Sequence, residues 1–237
     1  MKSVLITGAD RGLGLSLCKE YLQRGYTVFA GKFMDDYALL EAISDPKLHI
    51  QWLDMACPAS MDETVRRIKE TVAQLDLFIS NAALMGKTNC ELYNPPMEVE
   101  HAWNSFKVNA LGPLLLTEKL LPLMQTGQQR LCYVSSEVAC ISLMKHRDGN
   151  ALPYPMSKAG MQMGIRMMHN TLFGQGFTFR LFHPGWMKRR NPDGTLTETA
   201  LYDPDYIGDI AAKYFDAPLH DEHRLVMVDY NGYEWPF

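Results

Sequence analysis

Short apolar runs alternate with longer amphipathic stretches along almost the whole chain. The runs at 4–6, 27–30, 49–53, 77–79, 131–134, 177–182 and 225–228 predict seven strands. Helical spacing is expected near 60–74, 98–125, 154–173 and 204–215, with a first helix carrying Leu15, Leu17, Cys18, Tyr21 and Leu22. The strand runs are continuously apolar instead of alternating, which suits strands buried on both faces. Strand–helix alternation calls for right-handed crossovers, hence an α/β, doubly wound parallel sheet of about seven strands in a single domain. Ligands of such a sheet lie beyond the carboxyl ends of its strands. The least regular segments, 84–97, 142–153 and 187–203, each follow a strand end and are expected to border one cleft.

Composition narrows the picture. The 237 residues, 47% of them hydrophobic, suffice for one large core. A net charge of −4 gives no basic field for nucleic acid or anionic lipid. The first ten residues hold only a short apolar run, and no stretch approaches a membrane span, so a soluble, cytoplasmic protein is expected. The five cysteines, Cys18, Cys57, Cys90, Cys132 and Cys140, include no CxxC pair and read as buried small hydrophobes, with no metal framework.

Candidate chemistry begins at Gly8-Ala9-Asp10-Arg11-Gly12-Leu13-Gly14, between the first strand and the first helix. Glycines there allow a tight turn and close approach to a pyrophosphate, which the helix N-terminus attracts; this is the phosphate loop of a Rossmann fold. The second strand runs into Gly31-Lys32-Phe33 with no acid before Asp35. Without a carboxylate to read ribose hydroxyls, Lys32 and Arg11 favour a 2′-phosphate, so NADP(H) is expected over NAD(H). A solvated Lys32 and a loop-capping Arg11 are the plainer alternatives.

Tyr154 and Lys158 stand one helical turn apart and share a face. A phenol near pKa 10 is a poor acid/base at neutral pH, and a neighbouring ammonium or an oxidised nicotinamide would stabilise its phenolate. Ser135 and Ser136 end the fifth strand, where a hydroxyl either holds a substrate oxygen or caps a turn. Asn109 is a poor helix former inside a long helix, which marks it for a special role unless it is simply exposed.

On these residues the chain resembles the short-chain dehydrogenases/reductases over essentially its whole length. That resemblance implies a catalytic set of Asn109, Ser136, Tyr154 and Lys158, with Asn109 holding a water that links Lys158 to solvent. It places Asp54, Met55, Asn81, Ala82 and Ala83 beside the adenosine, Ala83 standing where the family carries glycine. It places Pro184, Gly185, Trp186 and Met187 beside the nicotinamide, and Tyr154 and Lys158 at the ribose. His183-Pro184-Gly185-Trp186 and Asp229-Tyr230-Asn231-Gly232 look like the C-factor-like carbonyl reductases, as does a long insertion between serine and tyrosine that contains Lys145, His146, Arg147 and Asp148. Where the family places a threonine after Pro-Gly, this chain has Met187-Lys188-Arg189-Arg190, which serves phosphates, an acidic substrate or only solvent. The implied activity is hydride transfer between a nicotinamide and a small carbonyl or alcohol, with 187–203 as a substrate loop and Met85, Tyr93, Trp186 and Met187 as apolar lining. A catalytically weak NADP(H)-sensing or signalling protein is the alternative, and an epimerase or dehydratase is disfavoured by the short sequence beyond 200. The long helices at 98–125 and 154–173 are expected to pair in a homodimer or homotetramer.

Overall fold

The structure, a computed structural model, describes residues 2–85, 97–144, 152–191 and 193–236. Cys90, Tyr93, Lys145, His146, Arg147 and Asp148 lie outside the described residues. In chain order the elements are β1 (Ser3–Thr7), α1 (Gly12–Gln23), β2 (Thr27–Lys32), α2 (Ala38–Glu41), β3 (Leu48–Trp52), α3 (Pro58–Thr71), β4 (Leu77–Ser80) and α4 (Val99–Phe106). A wide π-helical turn over Lys107–Leu111 leads into α5 (Gly112–Leu120). There follow β5 (Arg130–Val134), α6 (Pro153–Leu172), β6 (Thr178–His183), α7 (Pro204–Asp216), β7 (Met227–Asp229) and β8 (Glu234–Trp235).

The strands line up in the order β3-β2-β1-β4-β5-β6-β7-β8, all parallel except the last pair. The continuous apolar runs are explained by burial on both faces. Leu5, Phe78 and Leu131 pack under α3, α5 and α6 with Met61, Leu116 and Ile165, while Val4, Ile6 and Ile79 face α1 and α7 with Leu15, Cys18 and Phe215. Order reverses between β1 and β4, which is where a crevice opens at the carboxyl edge of a doubly wound sheet.

Three features depart from the sequence reading, the first being the short α2, which it did not place. The antiparallel β8 was not foreseen, because two edge residues carry no periodicity; Asp229 builds its hairpin by accepting from the amides of Asn231 (2.8 Å) and Tyr233 (2.9 Å). The helix expected over 98–125 is interrupted. Gly112 stands where a Cβ would lie 2.3 Å from the Met55 carbonyl, so the helix presses against the β3–α3 turn at that point. Pro113 follows with no N–H to give to the carbonyl of Asn109, and the backbone widens by a residue there.

At the opposite, amino edge sits a buried charge cluster. Arg180, fully buried in β6, donates to both Glu222 carboxylate oxygens (2.6 and 2.7 Å) and to the Ala217 carbonyl (2.8 Å). Arg130 caps the end of α7 through the carbonyls of Phe215 (2.8 Å) and Asp216 (3.0 Å). These groups pair with one another, apart from the buried Arg180 Nε, which has no hydrogen-bond partner among the described residues.

Candidate active site

The carboxyl ends of β1, β4, β5 and β6 bring most of the predicted residues to one edge. Gly8 and Gly12 adopt left-handed backbone, φ 64° and 58°, which only glycine takes without strain. Thr7 then ties this loop to β4, its hydroxyl accepting from the amides of Asn81 and Ala82, both at 3.0 Å. Asn81 returns the tie by donating to the carbonyls of Thr7 (2.9 Å) and Gly8 (3.1 Å). A Cβ on Gly8 would stand 2.8 Å from the Ala82 Cα, so the turn admits nothing larger. Asn81 therefore shapes the loop through its side chain. Gly14 is equally constrained, since a Cβ there would lie 2.0 Å from the Gly8 carbonyl oxygen.

The front of the loop is different. A Cβ on Gly12 would meet no atom within 4 Å, and Arg11, at the N-cap of α1, makes no side-chain cap hydrogen bond. The first amides of α1 thus face open space with the positive end of the helix dipole behind them, a cradle that fits a pyrophosphate. Leu13 is buried and packs its side chain into the core beneath the loop.

Flanking residues are placed as follows. Asp10 is buried, and its carboxylate accepts from the amides of Phe33 (2.7 Å) and Met34 (2.6 Å), fixing the turn after β2. The Lys32 ammonium lies 3.8 Å from the centroid of the Tyr37 ring. Asp54 takes the Ala56 amide (2.8 Å) and gives its own to Ser60 (2.9 Å), so it organises the entry to α3. Met55 is buried beneath α5, and Ala83 is exposed.

The two serines after β5 part company. Ser135 remains in the ladder through the Phe182 carbonyl (2.8 Å), and its buried hydroxyl accepts from Gln162 of α6 (3.0 Å). Ser136, one residue on and half-exposed, lies on the side of the Tyr154 phenol and favours its phenolate. Tyr154 opens α6. Burial pushes its phenol up to about 12, and Ser136 pulls against that rise. Lys158, one turn later and buried, gives its ammonium to the Val134 carbonyl at 3.0 Å, and burial lowers it to about 8. The expected pull of that ammonium on the phenol is therefore not what sets Tyr154 here; desolvation dominates both groups.

Asn109 is buried completely. Its amide nitrogen donates to the Leu84 carbonyl (2.8 Å) and to Ser157 (3.0 Å), and its oxygen accepts from the Leu84 amide (2.7 Å). Ser157 passes the connection on to the Tyr154 carbonyl (2.8 Å). The side chain is thus committed to positioning the tyrosine turn. Ser157 and Gln162 were missed by sequence reasoning. The only signal for Ser157 was its place inside Tyr-x-x-Ser-Lys, and Gln162 had none.

After β6, Pro184 is buried and Gly185 has φ 74°, with the Tyr230 ring 2.7 Å and the Tyr202 ring 3.1 Å from where a Cβ would lie. The two tyrosine hydroxyls bond each other at 2.6 Å, so the C-terminal hairpin and the 187–203 segment jointly back this turn. The hairpin also reaches the serine side, where Cys140 donates to the Pro236 carbonyl and Trp235 lies edge-to-face on His183 at 5.6 Å. Trp186 is 63% exposed at the mouth, and Met187 is half-buried and bridged to Tyr202. Of the basic stretch, Arg190 points inward to Asp205 (2.8 Å), Asp203 (3.5 Å) and the Gly194 carbonyl (3.1 Å) and so anchors the segment. Among the described residues no group of His, Cys, Asp and Glu has a metal-binding arrangement, and no helix is long and apolar enough to cross a membrane.

The family described as short chain dehydrogenase matches residues 2–196. The C-signal of Myxococcus xanthus is 35% identical over 168 residues, covering 69% of this chain and 93% of that one. An uncharacterised oxidoreductase of Schizosaccharomyces pombe is 29% identical over 232 residues, covering 96% of this chain and 89% of its own length. Among solved structures, the NADPH-bound carbonyl reductase from chicken fatty liver superposes with a TM-score of 0.85 at 24% identity, covering 100% and 99% of the two chains. A putative short-chain dehydrogenase/reductase of Burkholderia multivorans with bound NADP gives 0.79 at 23% identity, covering 100% and 99%. At these identities the structural likeness is one of fold.

Proposed function

The chain belongs to the short-chain dehydrogenases, as an oxidoreductase of CH–OH or carbonyl groups, and on that premise we propose that it uses NADP(H), with Tyr154 as acid/base, to interconvert a carbonyl and a secondary alcohol. The bound nicotinamide would supply or accept the hydride. The open amides of α1, with Gly8, Gly12 and Gly14, would hold the pyrophosphate, and Arg11 and Lys32 a 2′-phosphate. Asp54, Met55, Asn81, Ala82 and Ala83 would border the adenosine, and Pro184, Gly185, Trp186 and Met187 the nicotinamide. Tyr154 and Lys158 would meet the ribose. The 187–203 segment would form a substrate loop on this single domain, and Met85 and Trp186 would offer the apolar surface for a small-molecule carbonyl or alcohol.

In reduction the Tyr154 O–H gives its proton to the substrate oxygen as the carbon receives hydride, while Ser136 fixes that oxygen. Burial keeps the phenol protonated, the form a proton donor requires. In oxidation the phenolate must form. Lys158, close enough along the helix to turn from the Val134 carbonyl, stabilises that charge together with the oxidised ring. Asn109 and Ser157 hold the turn on which this depends. We assign the protein to a reducing, cytoplasmic setting, in keeping with the buried free thiols of Cys18, Cys132 and Cys140. We also assign homo-oligomer formation to the exposed faces of α4–α5 and α6.

The observation that carries this reading is the placement of Ser136 and Tyr154 together at the ligand edge, with Lys158 buried one turn along. NADPH consumption across a panel of aldehydes and ketones tests it. Tyr154→Phe is expected to retain NADPH binding and lose roughly 100- to 10,000-fold in turnover. The likeness to the C-signal favours a second reading, a protein that holds NADP(H) and signals; it predicts binding with no tyrosine-dependent consumption.

A further inference from the structure

The assignment of Lys32 to a 2′-phosphate rests on the reading above, but Lys32 is not the only residue that shapes that corner. We propose that Tyr37 is a positioning residue for cofactor choice, its ring holding the Lys32 ammonium where the 2′-phosphate of NADP(H) would lie.

The backbone around Lys32 is fixed from both sides. Its carbonyl accepts the Leu53 amide (2.8 Å), and the next two amides, of Phe33 and Met34, are taken by the Asp10 carboxylate (2.7 and 2.6 Å). Gly31 packs so closely that a Cβ there would stand 2.6 Å from the Leu53 side chain. What remains free is the lysine's four-carbon stem, which carries large rotamer entropy and binds phosphate poorly unless it is pre-placed. Tyr37, just before α2, is half-buried and packs against the α1-side core with Leu39. Its ring is therefore a fixed platform, and the ammonium sits 3.8 Å from its centre. A cation over a ring face keeps N–H donors on its far side, so the same ammonium can receive an anion.

Asp10 strengthens the case. It is the acid that stands beside the end of β2, where a carboxylate would read the ribose hydroxyls of NAD(H). Here it is spent on backbone amides. Asp35 and Asp36 follow in the same turn, and the lysine that Tyr37 holds is the cation set against them at this corner.

The test is titration of nicotinamide fluorescence with NADPH and NADH on the folded full chain, for wild type, Lys32→Ala, Tyr37→Leu and Tyr37→Phe. Tyr37→Leu is expected to weaken NADPH about three- to tenfold, the size of a partly exposed cation–π contact, with NADH unchanged. Tyr37→Phe keeps the ring and should bind as wild type does. Lys32→Ala should collapse the preference and leave NADH binding intact. If Lys32→Ala lowers the preference but Tyr37→Leu does not, or weakens both cofactors equally, the role given to Tyr37 is overturned while that of Lys32 stands. If Lys32→Ala leaves the preference unchanged, the assignment of Lys32 fails, and this one with it.

Discussion

Burial holds the Lys158 ammonium down to about 8 and the Tyr154 phenol up to about 12, so each group is pushed toward its neutral form. For Lys158 this is a cost of folding. Between about 8 and the ordinary lysine value near 10.4 the unfolded chain binds the extra proton, so this group's contribution to stability rises with pH through that window. Below about 8 the penalty is present in full. Lys158→Met should therefore raise stability at pH 7 by about 2 kcal/mol, after allowance for the lost bond to Val134, while abolishing turnover. Thermal denaturation at pH 7 and pH 10 checks this. The variant should melt several degrees higher at pH 7, with the gap closing at pH 10, and an equal or lower melting point at pH 7 contradicts it. The Tyr–Lys pair was legible from spacing alone, because one helical turn is a short-range fact. The choice between Ser135 and Ser136 was not. Adjacent strand residues point to opposite faces, and only the position of Gln162 shows which one turns inward. Asp10 was legible as part of a loop but not in its role, since its partners lie 23 and 24 positions away.

The strands were readable within two residues and the long helices within three, because doubly buried strands and amphipathic helices leave opposite periodicities, while the four-residue α2 was too short to leave one. The exceptions were elements set by contact at a distance. The break between α4 and α5 depends on Met55 and Leu84, and β8 depends on the Asp229 turn. Helix faces also carry the assembly argument. Trp103 and Leu111, 64% and 53% exposed, line the outer side of α4 and the π turn, and Met163 and Met167, 64% and 61% exposed, lie four apart on α6. α4 packs on α6, so both sets of exposed side chains belong to neighbouring helices. Exposed apolar side chains of this kind support the proposed assembly, in which self-pairing about a two-fold axis would cover them on both copies. Light scattering should give a dimer or larger species for wild type and a monomer for Trp103→Glu/Met163→Lys. A monomeric wild type at micromolar concentration contradicts the assignment.

Across the whole molecule the two edges of the sheet divide the work. The amino edge holds the Arg130–Arg180–Glu222 cluster, and the carboxyl edge holds the glycine loop at the start of α1, the Ser136–Tyr154 pair and the Gly185 turn that Tyr230 and Tyr202 back. The sequence placed the candidate residues at strand ends, and the structure puts most of them at the carboxyl edge, since strand ends and their following loops are ordered along the chain. It did not foretell that the last residues would return to brace both the serine side and the nicotinamide turn, because nothing local encodes that contact. The central claim is that Tyr154 moves the proton, and that its phenol, held high by burial here, falls when positive charge arrives. The most direct measurement is kcat/KM for alcohol oxidation against pH at saturating NADP+, in wild type and Tyr154→Phe. The account predicts a rise of about tenfold per pH unit to a plateau, with a midpoint below about 10, and a flat residual profile for the variant. A midpoint remaining near 12, or a profile that Tyr154→Phe leaves unchanged, would contradict it.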